Sequence, residues 1–179
     1  SSGGGFSYSI INGSGSATID PNTGYITGVG AGTVTLVVNA AGDTNYTPAT
    51  TSQLITITTG AQTLTITSAN TLGVDQSLTV TVTTTAIGGR GGALSYTIQN
   101  GSGIATVSPS GVVTGVQAGS VTLVVDAAGD ADYSPATTIQ LIVITKATPT
   151  LTVTSNNIIL VNTSLTTTVN TSATFGRGG

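Results

Sequence analysis

The chain lacks Cys, His, Met and Trp, all six of its acidic residues are Asp, and its basic residues are Arg90, Lys146 and Arg177. Thiolate and imidazole are the usual ligands of transition metals, and imidazole is the usual general base near neutral pH. Because neither is available, we predict that the protein is not an enzyme. We also predict no cofactor, with Ca²⁺ as the one exception considered below.

Charge is scarce as well, since 5% of the residues are charged against roughly a quarter in ordinary domains. A net charge of −3 argues against nucleic acid as a partner, because such binding requires a basic face. No run of about 18 apolar residues is present, so we expect no membrane span in this segment. Without a leader sequence or an initial Met, the chain is expected to be a mature or cropped piece. Few charges and many hydroxyl groups indicate a secreted protein, extracellular and at the cell surface.

What the chain does contain is an internal repeat. Ser7–Ile10 aligns with Ser95–Ile98 at an offset of 88, and after one deletion in a turn the offset becomes 87. The offset of 87 joins further pairs of segments: Leu36–Val38 with Leu123–Val125, Gln53–Ile55 with Gln140–Ile142, Leu78–Thr79 with Leu165–Thr166, and Gly89–Gly92 with Gly176–Gly179. Self-similarity at a fixed period indicates an array of like units, here the size of a domain.

The ends of the chain cut through this repeat. We predict that residues 1–59 (the first repeat) supply strands three to seven of one unit. Residues 60–146 (the complete repeat) form a whole unit of about 87 residues, and residues 147–179 (the tail) supply strands one and two of the next. The chain is therefore expected to sample a longer repetitive protein, or to be a subunit that shares domains with its neighbours.

The complete repeat contains seven short segments typical of β-strands. Thr63–Thr67 and Leu78–Thr83 alternate polar and apolar residues, which predicts half-buried strands, whereas Leu72–Gln76 is interpreted as a turn or loose crossing. Val121–Val125 is apolar on both faces and is predicted to be a central strand. The other predicted strands are Leu94–Asn100, Ile104–Ser108, Val112–Val116 and Thr138–Thr145. This pattern predicts an all-β fold of tandem immunoglobulin-like β-sandwiches, with the terminal unit split between the chain ends.

The segment Ala105–Val116, followed by Ala118–Leu123, resembles the group 2 bacterial immunoglobulin-like domain. The first repeat carries the same string with a longer turn at Ala17–Leu36. The pattern Ala-Gly-Asp-x-x-Tyr-x-Pro-Ala, common in bacterial immunoglobulin-like repeats, occurs at Ala41–Ala49 and Ala128–Ala136. The resemblance covers the whole chain as repeats. It implies a secreted, multi-domain surface protein similar to tandem-repeat adhesins and cell-wall proteins, and it brings no catalytic residues.

Three acidic residues, Asp126, Asp130 and Asp132, lie at the end of a predicted strand and in the following loop. Their carboxylates offer oxygen ligands for Ca²⁺, which takes six to eight. The first repeat holds Asn39, Asp43 and Asn45 at the same positions. Asp and Asn are also typical of turns, where they bond to their own backbone. Ca²⁺ binding and turn chemistry are thus alternative interpretations, and the loss of two charges in the first repeat favours turn chemistry.

Arg90 and Arg177 occupy the same place in a glycine loop of successive repeats. One interpretation is an interface contact from Arg to a carboxylate or carbonyl group of the next unit. The other is a solvated, flexible loop. Gly28–Gly32 has the glycine content of a nucleotide loop but lacks the strand-then-helix context, so it is interpreted as a strand connection.

The leading hypothesis is a structural repeat of an extracellular filament, stalk or sheath. Each partial repeat is half a sandwich with open edges, and such edges are templates for another chain. The tail of one subunit would then complete the first repeat of the next by strand addition, giving a head-to-tail homopolymer. The residues predicted at this interface are Tyr8, Ile10, Leu36, Val38, Leu54, Ile55, Arg90, Thr150, Leu151, Val153, Leu165, Val169 and Arg177.

Two alternatives stay open. In the first, the same ends are joined covalently in one continuous tandem array. In the second, the protein is an adhesin or a glycan-binding module whose partners are host or cell-surface glycans. Tyr46 and Tyr133 are the residues placed to stack on a sugar, although both are also interpretable as loop anchors beside Pro48 and Pro135.

Overall fold

The computed structural model describes residues 4–173, and every regular element in this span is a β-strand. The predicted all-β class is therefore confirmed. The described strands form six separate sheets. The chain divides into two compact units: the first contains residues up to 65, 82–95 and 125–138, and the second contains residues 66–81, 96–124 and 139 onward.

The N-terminal part of the first unit holds five strands: β1 (Phe6–Asn12), β2 (Ser16–Ile19), β3 (Ile26–Gly30), β4 (Gly32–Ala40) and β5 (Ala49–Ile57). They form one antiparallel sheet in the order β1–β4–β5 and one antiparallel pair, β2–β3. The turn after β1 is closed by the Asn12 side chain, which accepts a hydrogen bond from the backbone amide of Ala17 at 3.1 Å. In the order β1–β4–β5, β5 lies at an edge of its sheet.

Nine strands follow in the middle of the chain: β6 (Leu64–Ile66), β7 (Thr71–Gly73), β8 (Ser77–Thr79), β9 (Val82–Thr84), β10 (Leu94–Asn100), β11 (Ile104–Val107), β12 (Val112–Gln117), β13 (Gly119–Ala127) and β14 (Ala136–Thr145). They form a four-stranded sheet in the order β10–β13–β14–β7, a three-stranded sheet in the order β11–β12–β8, and the pair β6–β9. β7 runs parallel to β14, whereas β8 and β11 run antiparallel to β12. Near the C-terminus, β15 (Leu151–Val153) pairs antiparallel with β16 (Val169–Thr171).

The core follows the two-residue period of the strands. Along β13, Val121, Leu123 and Val125 are at most 1% exposed, and the residues between them are half-buried. Ile142 and Ile144 of β14 are 0% and 2% exposed. β13 lies between two hydrogen-bonded neighbours, so the prediction that Val121–Val125 is a central strand is confirmed.

Two predictions about the start of the complete repeat are wrong. Leu72–Gln76 is not a turn throughout, because β7 pairs with β14 and places Leu72 opposite Ile144. Leu78–Thr83 is not a single strand, because β8 pairs with β12 whereas β9 pairs with β6. The change of partner falls at Val80, whose amide donates to the carbonyl of Gly111 at 2.9 Å.

Candidate functional site

The first repeat and the complete repeat bury the same side chains to different extents. Several buried positions of the complete repeat have identical residues in the first repeat. Val121 and its counterpart Val34 are both 1% exposed. Four other pairs differ in burial: Leu123, Val125, Ile142 and Ile144 correspond to Leu36, Val38, Ile55 and Ile57. The former four are 0%, 0%, 0% and 2% exposed, whereas the latter four are only half-buried. Since the residues are the same, the difference reflects what covers them.

The cover in the complete repeat comes from β7 and β8. β7 adds to β14 through Thr71, Leu72 and Gly73, and β8 adds to β12 at Val112–Thr114. The matching strands of the first repeat are β5 and β3, and among residues 4–173 neither has a neighbour on that side. The first repeat therefore presents two open strand edges over a half-buried apolar face.

The tail repeats the geometry of the start of the complete repeat. β15 and β16 lie 87 residues after β6 and β9. The amide of Thr150 donates to the Ser172 hydroxyl at 2.8 Å, just as the amide of Thr63 donates to the Thr85 hydroxyl at 2.9 Å. The hydroxyls of Thr154 and Thr168 lie 3.0 Å apart, and those of Thr67 and Thr81 lie 2.9 Å apart. Thus β15 and β16 reproduce the pairing of β6 and β9, whereas residues 158–160 and 164–166, which correspond to β7 and β8, are not in strands.

The apolar side chains of the tail are exposed where their counterparts are covered. Leu151 is 71% exposed against 8% for Leu64, and Ile159 is 56% exposed against 8% for Leu72. Other predicted interface residues of the tail are exposed as well: Thr150, Val153 at 63%, Leu165 at 41% and Val169 at 52%. In the first repeat, Tyr8 and Ile10 are half-buried and Leu54 is 66% exposed. Their role at an interface stays a prediction, and Arg177 lies outside the described residues.

Arg90 makes two contacts within the first unit. Its Nη1 donates to the carbonyl oxygen of Val29 at 2.6 Å and lies 2.9 Å from Oδ2 of Asp132. The other carboxylate oxygen of Asp132 accepts from the amide of Ala31 at 2.6 Å. An arginine and an aspartate of the complete repeat thereby hold the backbone at the end of β3 and at the turn into β4. A cavity of about 190 Å³ opens beside them, with Gly60 and Tyr133 in its wall.

Asp130 organises the neighbouring loop. Its Oδ1 accepts from the amides of Asp132 at 2.8 Å and Tyr133 at 2.9 Å, and its Oδ2 accepts from the amide of Gly91 at 2.6 Å. These backbone donors, the Gly91 amide above all, hold the pKa of Asp130 below its ordinary value. The carboxylate thereby ties the glycine loop that carries Arg90 to the loop that carries Asp132.

The three candidate Ca²⁺ ligands each have a protein partner. Asp126 accepts from the hydroxyl of Thr137 at 2.5 Å, while Asp130 and Asp132 accept the bonds described above. Asp130 therefore makes the turn bonds expected of an Asx residue. Within residues 4–173, no three acidic side chains are grouped so as to hold a metal ion. The Ca²⁺ site stays a prediction.

Sequence reasoning missed the partner of Arg90, since the loop between β3 and β4 was interpreted only as a connection. One signal was present in the sequence. Arg90 and Asp132 correspond to Ser2 and Asn45 in the first repeat, so the two charges are present together in one repeat and absent together in the other. Such paired differences are expected of residues that contact each other.

The comparisons with known proteins leave the family open. No family model matches the chain, and no curated protein matches it. Among the described residues no helix is long and apolar enough to cross a membrane.

Solved structures give weak likenesses. One is the surface-layer protein rSbsC(31-844), at 15% identity over 92% of this chain and 28% of that one, with a TM-score of 0.36. Another is a SusE-like surface located polysaccharide binding protein from Bacteroides thetaiotaomicron, at 17% identity over 79% and 29% of the two chains, with a TM-score of 0.35. A third is a set of zebrafish RET cadherin-like domains, at 12% identity over 79% and 40%, with a TM-score of 0.28. The chain spans less than half the length of each, and at these scores the likenesses carry no argument about function.

Proposed function

We propose that the protein is a structural repeat of an extracellular filament, stalk or sheath on a microbial cell surface, built of tandem immunoglobulin-like β-sandwiches. Its first repeat is completed by the tail of a second copy. One observation carries this proposal. The same chain contains open edges at β3 and β5 of the first repeat, here called the acceptor, and a tail with exposed apolar side chains that matches them, here called the donor. It is a non-enzymatic function that requires no cofactor.

The sandwich assignment is supported by contacts between strands of different sheets. A Cβ at Gly115 of β12 would lie 3.0 Å from Cγ2 of Ile144 of β14. The ring of Tyr96 of β10 covers Gly111, where a Cβ would lie 2.9 Å from Cζ. Faces of two sheets that approach this closely are typical of a β-sandwich core.

The repeat period gives the register of the proposed exchange. Ile158–Leu160 would add in parallel beside Thr56–Thr58, as β7 does beside β14. Ser164–Thr166 would add antiparallel beside Tyr25–Thr27, as β8 does beside β12. Ser164–Thr166 and Ser77–Thr79 are identical in sequence, so the donor matches the segment that makes this pairing in the complete repeat.

Burial of apolar surface supplies the driving force. Leu151, Ile159 and Leu165 of the tail would become covered, as would the half-buried face of β4 and β5. Fully burying one such side chain contributes about 1.5–3 kcal/mol. Backbone bonds along the two open edges fix the register. Because donor and acceptor are different segments of the chain, the contact is heterologous, and a head-to-tail array grows unless it closes into a ring.

The test begins with negative-stain imaging and light scattering of the 179-residue chain. Two variants separate the partners: Ile159→Asp disables the donor, and Gly28→Val obstructs the acceptor edge at β3. We expect each variant alone to be monomeric and their equimolar mixture to stop at pairs, because one working donor and one working acceptor remain. Ile139→Asp is the matched control, since Ile139 is 65% exposed in the complete repeat and should leave assembly unchanged.

The contrary result is equally clear. If the unmodified chain stays monomeric at high concentration and hydrogen exchange finds the tail unprotected, strand exchange between copies is refuted. The covalently continuous array would then be the remaining form of the structural proposal. Assembly that is blocked equally by Ile139→Asp would show association through another surface.

A second candidate function is glycan binding, favoured by two exposed aromatic side chains of the first repeat. Tyr25 is 74% exposed and Tyr46 is 59% exposed, and aromatic faces of this kind are suited to stacking on a sugar. Binding of the chain to an array of host and bacterial glycans, lost in Tyr46→Ser but kept in Thr47→Ser, would support it. No binding above that of a glycan-free surface would reject it.

A further inference from the structure

We propose that Arg90 and Asp132 are positioning residues that lock the complete repeat onto Val29–Ala31, the end of β3 and the turn into β4 of the first repeat. This junction lies within the first unit of one chain and does not depend on strand exchange. Its function is to hold that turn in a fixed position against the two loops that carry Arg90 and Asp132.

The covalent link between the repeats is itself docked. The amide of Gly60 donates to the carbonyl of Asp132 at 2.8 Å, and the carbonyl of Gly60 accepts from the amide of Ser134 at 2.9 Å. The side chain of Gln62, 7% exposed, donates to the carbonyls of Gly91 at 2.8 Å and Ser134 at 3.0 Å. These bonds hold the link, residues 60–62, against the loops of the complete repeat.

Arg90 and Asp132 supply the contact on the other side. The Val29 carbonyl and the Ala31 amide belong to residues two positions apart. The guanidinium donates to the carbonyl, and the carboxylate accepts from the amide. The ion pair of 2.9 Å joins the two side chains to each other. Together they form a clamp whose donor and acceptor are matched to the loop, as charge-assisted bonds require. Together with the bonds at the link, the clamp holds the turn in a fixed position.

The surroundings keep this clamp partly shielded from solvent. The side chain of Asp132 is 23% exposed and that of Arg90 is 41% exposed. An exposed ion pair contributes little to stability because water and salt screen it. The clamp is therefore expected to act on geometry more than on the free energy of unfolding, and a test must measure orientation as well as stability.

The chain contains no Cys, which allows clean spin labelling at Thr18 of β2 and Thr83 of β9, both exposed and both within the first unit. Distances between labels are measured by pulsed electron resonance in the Ile159→Asp background, so that any assembly is suppressed. We expect one narrow distribution for the parent chain. It should broaden in Arg90→Ala and Asp132→Ala and recover in Arg90→Lys. Asp126→Asn is the control with the same loss of charge outside the junction, and it should leave the distribution narrow.

A second readout is local. The Ala31 amide donates to Asp132, so its hydrogen exchange should accelerate in Asp132→Ala and much less in Asp132→Asn, which keeps an acceptor oxygen. If the distributions of parent and variants have equal widths and Ala31 exchanges at the same rate in all of them, the clamp is refuted. Broadening that accompanies global unfolding by circular dichroism also counts against it, because a positioning role leaves both repeats folded.

Discussion

The same substitution is expected to lower the free energy of unfolding by different amounts in the two repeats, because identical core residues are buried to different extents. Leu123 is 0% exposed in β13, whereas Leu36 at the matching position of β4 is half-buried. Replacing a fully buried Leu with Ala removes its transfer free energy and leaves a cavity, at a cost of about 2.7–5 kcal/mol. Leu123→Ala is therefore expected to cost about 4 kcal/mol.

Leu36→Ala should cost far less in the unassembled chain. The truncation removes about three carbon atoms' worth of transfer free energy at roughly 0.8 kcal/mol each, and at most about a third of that is already forfeited because the side chain is only half-buried. The space left behind opens to solvent rather than to a sealed cavity. We expect about 1.5 kcal/mol, which corresponds to roughly a tenfold change in the opening equilibrium against about a thousandfold for Leu123→Ala.

Amide hydrogen exchange measures the two repeats separately, because β4 and β13 report on different parts of the chain. In the unassembled Ile159→Asp background the two costs should differ as stated. In assembled chains that carry a working tail, the cost of Leu36→Ala should rise towards that of Leu123→Ala, since the donor covers the same face. Equal costs in the unassembled chain would refute the reasoning, and so would a cost for Leu36→Ala that assembly leaves unchanged.

Three further predictions use the complete repeat as the test and, where possible, the first repeat as the control. Gly115→Ala should lower the melting temperature in thermal denaturation, because its Cβ would lie 2.7 Å from a backbone oxygen of β7, whereas Gly28→Ala meets only a side chain of β5 and should be nearly neutral. The folded-state pKa of Asp130 is lowered, so its carboxylate contributes stability that is present above pH 3.8 and lost as pH falls below it. Asp130→Asn should remove this contribution, as measured by urea titration at neutral pH. Asp43→Asn should alter the same titration less, because the bonds of Asp43 at 2.8 and 2.9 Å use a single carboxylate oxygen. Gln62→Ala should cost about 1–3 kcal/mol in urea unfolding, since it leaves the buried carbonyl of Gly91 and the partly buried carbonyl of Ser134 without their donor.

The sequence predicted the strands whose signals are local and missed those whose reason is a distant partner. β10, β12 and β13 follow alternation or an apolar run, and they form where expected. β7 has three residues and ends in glycine, so nothing local marks it, and it exists because β14 offers a parallel edge. The break at Val80 likewise reflects a change of partner sheet rather than a breaker residue.

In the candidate site, too, the features that follow from the repeat could be predicted, whereas the contacts between distant residues could not. The repeat predicts which strands each partial unit holds, and the structure exposes Leu151 and Ile159 of the tail. Their role as a donor to the first repeat stays a prediction. The clamp could not be located, because Arg90 and Asp132 are 61 and 101 residues away from the loop atoms they bind. The charge difference between the repeats indicated that a contact exists but not where it falls.

The identical residues of the two repeats also limit what kind of partner can cover the first repeat. Leu36, Val38 and Ile55 are identical to their buried counterparts, so their exposure cannot come from side-chain chemistry or strand propensity. It follows that any partner restoring the burial must offer a parallel strand to β5 and an antiparallel strand to β3, with an apolar residue at the place of Leu72. Residues 158–166 meet these requirements with Ile159 at that place and an unaltered Ser-Leu-Thr segment. A partner of unrelated sequence would have to reproduce both strand directions and this spacing. The occupant is therefore expected to be a further segment of this repeat, supplied either by a second copy or by a covalently continuous array.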